Sequence, residues 1–250
     1  MASSSNSNTF VNHRSDSIDV LRGSAIVMMF IYHFCYDLSY YGLVAFDFYQ
    51  DLAWVYFRVV IVSCFLFLVG VSLHLATRHG LKRPGYLRRM AWLLGYAGIV
   101  SLSSYLMFAE RWIFFGILHF IAVASIVGLL FCRFFWLNLW LGIAVIITGL
   151  TFTHPIFDQP MLQWLGMVTR LPGTEDYVQF VPWFGVVLLG MFAGKLVFER
   201  RPQTFTQWQS RNALSRSLAL AGRHSLHIYM LHQPLFLTML YPVYLLSGQA

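Results

Sequence analysis

Three ionisable residues punctuate an otherwise apolar stretch near the start of the chain, "RGSAIVMMFIYHFCYDL" at residues 22–38. Arg22 and His33 are eleven residues apart, which is about three helical turns, so the two side chains share a helix face about 16 Å apart along the axis. Asp37 follows His33 at the spacing of four and lies on the same face. The spacing predicts a polar stripe along one side of a helix.

This stripe could carry acid–base chemistry. An ionisable group in a membrane span costs roughly 2.5–3.5 kcal/mol if it faces lipid, so it normally faces a cavity or a partner. A carboxylate one turn from an imidazole can fix the imidazole tautomer and stabilise its charged form, as a general base requires. A snorkelling anchor remains the alternative for Arg22, and a structural hydrogen bond between helices remains the alternative for His33 and Asp37.

Two further histidines fall at a similar predicted depth on other helices. His119 lies in "FFGILHFIAVA" and His232 in "HSLHIYMLHQP". Together with His33 they predict a shared cavity, although each alone is also typical of a core histidine. The sequence lacks the HxxxH or HxxH spacing with an adjacent carboxylate that a zinc site would need, so we expect no metal.

The composition places these residues in a membrane. Hydrophobic residues make up 58% of the chain and charged residues 11%, and the mean hydropathy is +0.63. Soluble domains carry roughly 25% charged residues, so the chain is too apolar to cover its own surface in water. We predict an all-α polytopic membrane protein with a disordered cytoplasmic tail over 1–15 and one transmembrane domain over 16–250.

Apolar stretches near 20 residues predict about seven membrane-spanning helices. With the N-terminus in the cytoplasm and the C-terminus outside, all Lys and Arg except Arg58, Arg111 and Arg170 lie on the inner side, which is fourteen of seventeen. This asymmetry follows the positive-inside rule and explains the net charge of +7 without nucleic-acid binding. The predicted spans are 18–42, 53–77, 88–108, 112–132, 135–153, 180–198 and 217–246, the last kinked at Pro234 and Pro242.

Five segments resemble the transmembrane acyltransferase superfamily, which includes heparan-alpha-glucosaminide N-acetyltransferase and bacterial enzymes that modify cell-envelope sugars. The likeness is closest to small bacterial proteins with the heparan-alpha-glucosaminide N-acetyltransferase catalytic domain, and it covers most of the chain in order. The segments are "SIDVLRGSAIVMMFIYHFCYDL", "FLFLVGVSL", "FFGILHFIAVA", "VPWFGVVLLGMFAG" and "LAGRHSLHIYMLHQP".

The resemblance implies acetyl transfer from cytoplasmic acetyl-CoA to an amine or hydroxyl of a sugar or glycan on the outer side of a bacterial inner membrane. It makes His33 the base or acetyl carrier, with Asp37 supporting it. Arg22, Arg88, Arg89, His119 and His232 are assigned to the acetyl-CoA donor, and Asp176 and Trp183 to the acceptor. For Arg88 and Arg89 a topology signal remains the alternative, and for Trp183 an interfacial position. A homodimer is possible.

Two other classes of function remain open from the sequence. The polar stripe and the histidines also suit a proton-coupled transporter of a sugar or anionic solute. No inverted repeat and no matched pair of broken helices accompany them, which counts against a transporter. A non-catalytic membrane partner or assembly factor is the third class.

Overall fold

The computed structural model describes residues 16–174, 176–200 and 212–247. These residues form helices and turns, and the β-structure among them is one isolated bridge between Gly166 and Val181. The predicted all-α class is confirmed, whereas the predicted tail over 1–15 lies outside the described residues. The helices are α1 (Asp16–Tyr40), α2 (Leu52–Thr77), α3 (Arg83–Met107), α4 (Ile117–Gly128), α5 (Trp136–Thr151), α6 (Phe180–Arg200), α7 (Ala213–Arg223) and α8 (Ser225–Leu246).

Local sequence signals set several of these helix starts. The Asp51 carboxylate accepts the Ala53 amide hydrogen at 2.9 Å before α2, and the Asn212 side chain accepts the Ser215 amide hydrogen at 2.7 Å before α7. Such caps satisfy amide groups that have no partner within the helix. A proline in the first turn of α3 fits there because its missing N–H would be unpaired anyway.

Four helices, α1, α2, α3 and α6, are long and apolar enough to cross a membrane. The apolar stretch from α4 through the turn after it, 117–131, and helix α5 are shorter. The protein is an integral membrane protein, and the count of seven spans and the orientation of its termini stay predictions. We call the two ends of the bundle the Asp16 end and the Tyr40 end, after the two ends of α1.

Close helix contacts at glycines hold the centre of the bundle together. A β-carbon on Gly70 of α2 would lie 2.0 Å from the Val187 carbonyl oxygen, and one on Gly190 of α6 would lie 2.1 Å from that of Phe67. Only glycine allows two backbones to approach this closely, as small residues do in membrane helix pairs. Helices α2 and α6 therefore pack backbone to backbone, and the main apolar core, which includes Phe120, lies beside them.

The predicted last span, 217–246, is wrong as a single helix. The chain breaks at His224, which separates α7 from α8, while Pro234 and Pro242 both lie inside α8. The reason is contact with α1, because a β-carbon on Gly222 would lie 1.8 Å from the Asp19 carbonyl oxygen.

Helices α7 and α8 run in opposite directions along α1. Gly23 of α1 faces Leu218, whereas the earlier residue Asp19 faces the later residue Gly222, so α7 is antiparallel to α1. Helix α8 then returns parallel to α1, and the Tyr41 hydroxyl, just beyond α1, donates to the Leu237 carbonyl. This change of direction at His224 places His232 of α8 beside His33 of α1.

The connection from α5 to α6 caps the Tyr40 end of α4. It contains two short 3-10 turns, Pro155–Asp158 and Gln163–Leu165, and its Trp164 ring packs on Phe115 and Phe180. Asp158 accepts hydrogen bonds from Thr169 within the same connection, and these bonds lower the pKa of its carboxyl. The segment is a folded cover on the core.

Candidate active site

His33 of α1 and His232 of α8 meet inside the bundle. Their ring centroids are 4.8 Å apart, and the rings are nearly perpendicular, at 84°. Phe30 stacks on the His232 ring at 5.8 Å, and Phe236 lies edge-on to it at 6.0 Å. The structure thus brings together two of the three histidines that the sequence predicted to share a cavity.

Backbone hydrogen bonds fix the same tautomer in both neutral rings. The Nδ1 atom of His33 lies 3.0 Å from the Met29 carbonyl oxygen, and Nδ1 of His232 bonds the Tyr229 carbonyl oxygen. Because a carbonyl only accepts hydrogen bonds, Nδ1 carries the proton in each ring and Nε2 keeps its lone pair. Both Nε2 atoms are therefore the basic, nucleophilic nitrogens of the pair.

Asp37 bonds across to α8 and not to His33. Its Oδ1 accepts a hydrogen bond from the Gln233 amide at 2.6 Å, and the residue is only 1% exposed. The predicted pairing of Asp37 with His33 is therefore wrong as a direct hydrogen bond, because Met29 takes the imidazole N–H and Gln233 takes the carboxylate. Sequence reasoning missed Gln233, and its one available signal was its position next to His232.

A second polar cluster joins the helices at the Asp16 end. Arg22 donates to Asp19 at 3.0 Å and to the Ser72 hydroxyl of α2 at 2.6 Å. Arg223, at the end of α7, donates to Asp19 at 3.3 Å and to Asp16 at 2.8 Å. Arg22 was predicted to contact the acetyl-CoA donor, but its guanidinium already binds Asp19 and Ser72. Asp19 was overlooked, although its spacing of three from Arg22 indicates a pair.

Arg88 and Arg89 are exposed near the start of α3, and neither forms an ion pair with the described residues. The neighbouring Tyr86 donates its hydroxyl hydrogen to the Ser125 carbonyl of α4 at 3.1 Å. This bond fixes the first turn of α3 against α4. The start of α3, and with it Arg88 and Arg89, is therefore held at the Asp16 end.

His119 does not join the other two histidines. Its Nδ1 accepts the Gly116 amide hydrogen at 3.2 Å, and its Nε2 lies 3.1 Å from the Ser101 hydroxyl oxygen. The Ser101 hydroxyl in turn donates to the Ile113 carbonyl at 2.6 Å. Both ring nitrogens are thus used to fix the turn before α4, and the assignment of His119 to the donor has no support from these contacts.

Asp176 and Trp183, both predicted to contact the acceptor, also pack inward. The Asp176 carboxylate accepts the Ile117 amide hydrogen at 3.0 Å, where it caps the N-terminus of α4, and it lies close to the Tyr229 hydroxyl. Burial raises the pKa of this carboxyl. Trp183 is half-buried against the main core. A role for either residue at the acceptor stays a prediction.

Helices α1 and α8 of this integral membrane protein thus bring two imidazoles, a carboxylate and an amide together. The family model described as "Heparan-alpha-glucosaminide N-acetyltransferase, catalytic" matches residues 14–234, and the chain belongs to this family. The match includes every polar site residue described above. No curated protein and no solved structure matches the chain. Within the described residues no group of three or more His, Cys, Asp or Glu side chains is arranged to hold a metal ion.

Proposed function

We propose that the protein moves an acetyl group from cytoplasmic acetyl-CoA to an amine or hydroxyl of a sugar or glycan outside the membrane, with His33 as the base or acetyl carrier. The observation that carries this proposal is the pair of interior imidazoles, each with Nδ1–H bonded to a carbonyl and Nε2 left basic. The family supplies the acetyl-transfer class, and it favours this reaction over the alternative of a proton-coupled transporter.

The reaction balances without any further reactant. The acceptor nitrogen or oxygen attacks the thioester carbon, a histidine Nε2 takes the acceptor proton, and the carbon–sulfur bond breaks. The proton then ends on the CoA sulfur. In the two-step version His33 Nε2 first displaces the thiolate and carries the acetyl group, and the acceptor then displaces His33.

Charge at the Asp16 end supports a donor site on the cytoplasmic side. Acetyl-CoA carries several phosphate charges, and guanidiniums bind phosphates with paired, charge-assisted hydrogen bonds. Arg88 and Arg89 are exposed there and make no ion pair with the described residues, so they are the better candidates for phosphate contact. Arg22, bound to Asp19 and Ser72, is a better candidate for holding α1 in place. A bacterial inner membrane is the proposed location.

The test is acetyl-CoA binding by calorimetry and thiol release by the purified protein in detergent. Wild type is compared with His33→Ala and with a matched control, His154→Ala, which removes an exposed imidazole from the α5–α6 connection. We expect micromolar binding in all three and thiol release in all but His33→Ala. Wild-type protein that binds neither acetyl-CoA nor CoA at millimolar concentration contradicts the proposal.

A further inference from the structure

Three buried hydrogen-bond acceptors lie around the histidine pair without a donor among the described residues. They are Oδ2 of Asp37, Nε2 of His232 and Oε1 of Gln233. Asp37 and Gln233 are joined directly by their hydrogen bond, and His232 precedes Gln233 on α8. Buried polar groups in proteins are normally hydrogen-bonded, so three unsatisfied acceptors in one place indicate a ligand.

The chemistry of these atoms selects the kind of ligand. A carboxylate oxygen, an amide oxygen and an imidazole nitrogen with its proton on Nδ1 all accept and none donates. Their ligand must therefore bring several N–H or O–H donors, as an amine or a pair of sugar hydroxyls does. The acetyl thioester brings only a carbonyl oxygen and a sulfur, which are acceptors, so it cannot satisfy this group.

We propose that Asp37, His232 and Gln233 form the acceptor site and that His232 is its general base, an inference that rests on the proposed function. As the acceptor nitrogen or oxygen attacks the acetyl carbon, its proton moves to His232 Nε2. The bond from that carbon to its carrier, the CoA sulfur or His33 Nε2, breaks. The proton then passes from His232 to the CoA thiolate. His232, which the sequence analysis assigned to the acetyl-CoA donor, is thus assigned to the acceptor site.

The position of the three acceptors suits entry from the Tyr40 end. Asp37 lies one turn before the end of α1, and its carbonyl accepts the Tyr41 amide hydrogen at 3.0 Å. Beyond it an open pocket of about 500 Å³ is lined by Tyr40, Tyr41, Gly42 and Tyr244. These residues come from the same two helices, or the turn after them, that carry the acceptors. An acceptor approaching between α1 and α8 therefore meets Asp37 and Gln233 before His33.

The decisive experiment compares His232→Gln with a matched control, His74→Gln, which replaces another buried histidine at the Asp16 end beside Glu199. Thiol release from acetyl-CoA is measured with water alone and with glucosamine as the probe acceptor. We expect acetyl-CoA affinity to be unchanged in both variants. Turnover should fall about 100-fold or more in His232→Gln, as for loss of a general base, and stay at the wild-type level in His74→Gln.

A pH profile separates a base from a structural residue. The titratable groups beside His232 are His33 on α1 and Tyr229 on α8. Asp37 is joined to the neighbouring Gln233, and Asp176 of the α5–α6 connection lies beside Tyr229 and within the influence of Arg58. Wild-type turnover should fall on the acid side as His232 takes up a proton. In His232→Gln the fall of turnover on the acid side should disappear. A variant that merely loosens the site would instead have a lower turnover at every pH and would keep the acid-side fall.

Gln233→Leu provides an independent variant if His232→Gln does not fold. We expect it to raise the KM for glucosamine and leave acetyl-CoA affinity unchanged, because Gln233 contacts Asp37 and the acceptor in this scheme but not the donor. A His232→Gln protein that loses acetyl-CoA affinity, or keeps the acid-side fall of turnover, overturns the assignment while the proposed function stands. Wild-type protein that releases no thiol overturns both.

Discussion

Replacement of Asp19 should weaken the bundle at a point away from the histidine pair. The side chain is 2% exposed and binds Arg22 at 3.0 Å and Arg223 at 3.3 Å, which joins α1 to the end of α7. Asp19→Asn keeps the size of the side chain and removes its charge. The two guanidiniums then lose their shared carboxylate at the point where α7 and α8 separate.

The expected loss follows from the exposure of the two partners. A hydrogen bond to a charged group contributes roughly 1.5–3 kcal/mol, and this applies to Arg22, whose side chain is 20% exposed. The Arg223 side chain is 43% exposed, so solvent screening reduces its share to that of a surface pair, roughly 0.2–1 kcal/mol. Together they predict a loss of about 3 kcal/mol. In a chain of this size that lowers the Tm by about 6 to 12 °C.

Thermal unfolding in detergent, followed by tryptophan fluorescence, measures this loss. Asp16→Asn is the matched control, because Asp16 binds the same Arg223 from a more exposed position and should lower the Tm by no more than about 4 °C. Equal shifts in the two variants, or an unchanged Tm in Asp19→Asn, would refute the reasoning that burial of Asp19 sets the strength of this cluster.

Four further outcomes are expected. Gly222→Val puts a β-carbon 1.8 Å from the Asp19 carbonyl oxygen, so it should abolish the monodisperse folded peak in size-exclusion chromatography, whereas Gly95→Val, at a position where a β-carbon meets nothing within 4 Å, should retain it. Burial raises the pKa of Asp176, so the folded state binds that proton more tightly than the unfolded state. The wild-type Tm should therefore gain a contribution as pH falls through this pKa toward the ordinary value of about 3.9, and Asp176→Asn should lose it. His119→Ala should lower the Tm, because the two contacts that fix the turn before α4 are lost, and should leave acetyl-CoA affinity in calorimetry unchanged. A weakened affinity would support the assignment of His119 to the donor site. Arg89→Gln should weaken acetyl-CoA binding about 10-fold, as loss of one charge-assisted contact implies, and an unchanged dissociation constant would remove it from the donor site.

Helix positions were largely predictable because they depend on local sequence. The predicted second span, 53–77, coincides with α2 to within a residue, since a long apolar run between polar turns leaves the chain few alternatives. The same periodicity predicted that His33 and Asp37 lie on the inward face of α1. These inferences need only the helix repeat and the hydrophobicity of the segment.

The partners of the site residues were not predictable in the same way. Asp37 bonds a residue 196 positions away, and the periodicity of α1 contains no information about α8. The break at His224 also depends on tertiary contact, because Gly222 and Arg223 fit against Asp19 only when α1 is already present. The residue pattern of a helix indicates which of its faces is polar, whereas the packing of the helices decides which residues that face contacts.

The separation of these partners along the chain has a consequence for synthesis. Asp19 and Arg223 are 204 residues apart, so at roughly 5–20 residues per second α1 is made about 10 to 40 s before its partners on α7 and α8. During that interval the ionisable face of α1 must stay out of lipid, where each such group costs roughly 2.5–3.5 kcal/mol. Helix α8, made after the other seven helices described above, is thus the one that completes the histidine pair. The nascent protein therefore has no paired histidines until α8 has been made.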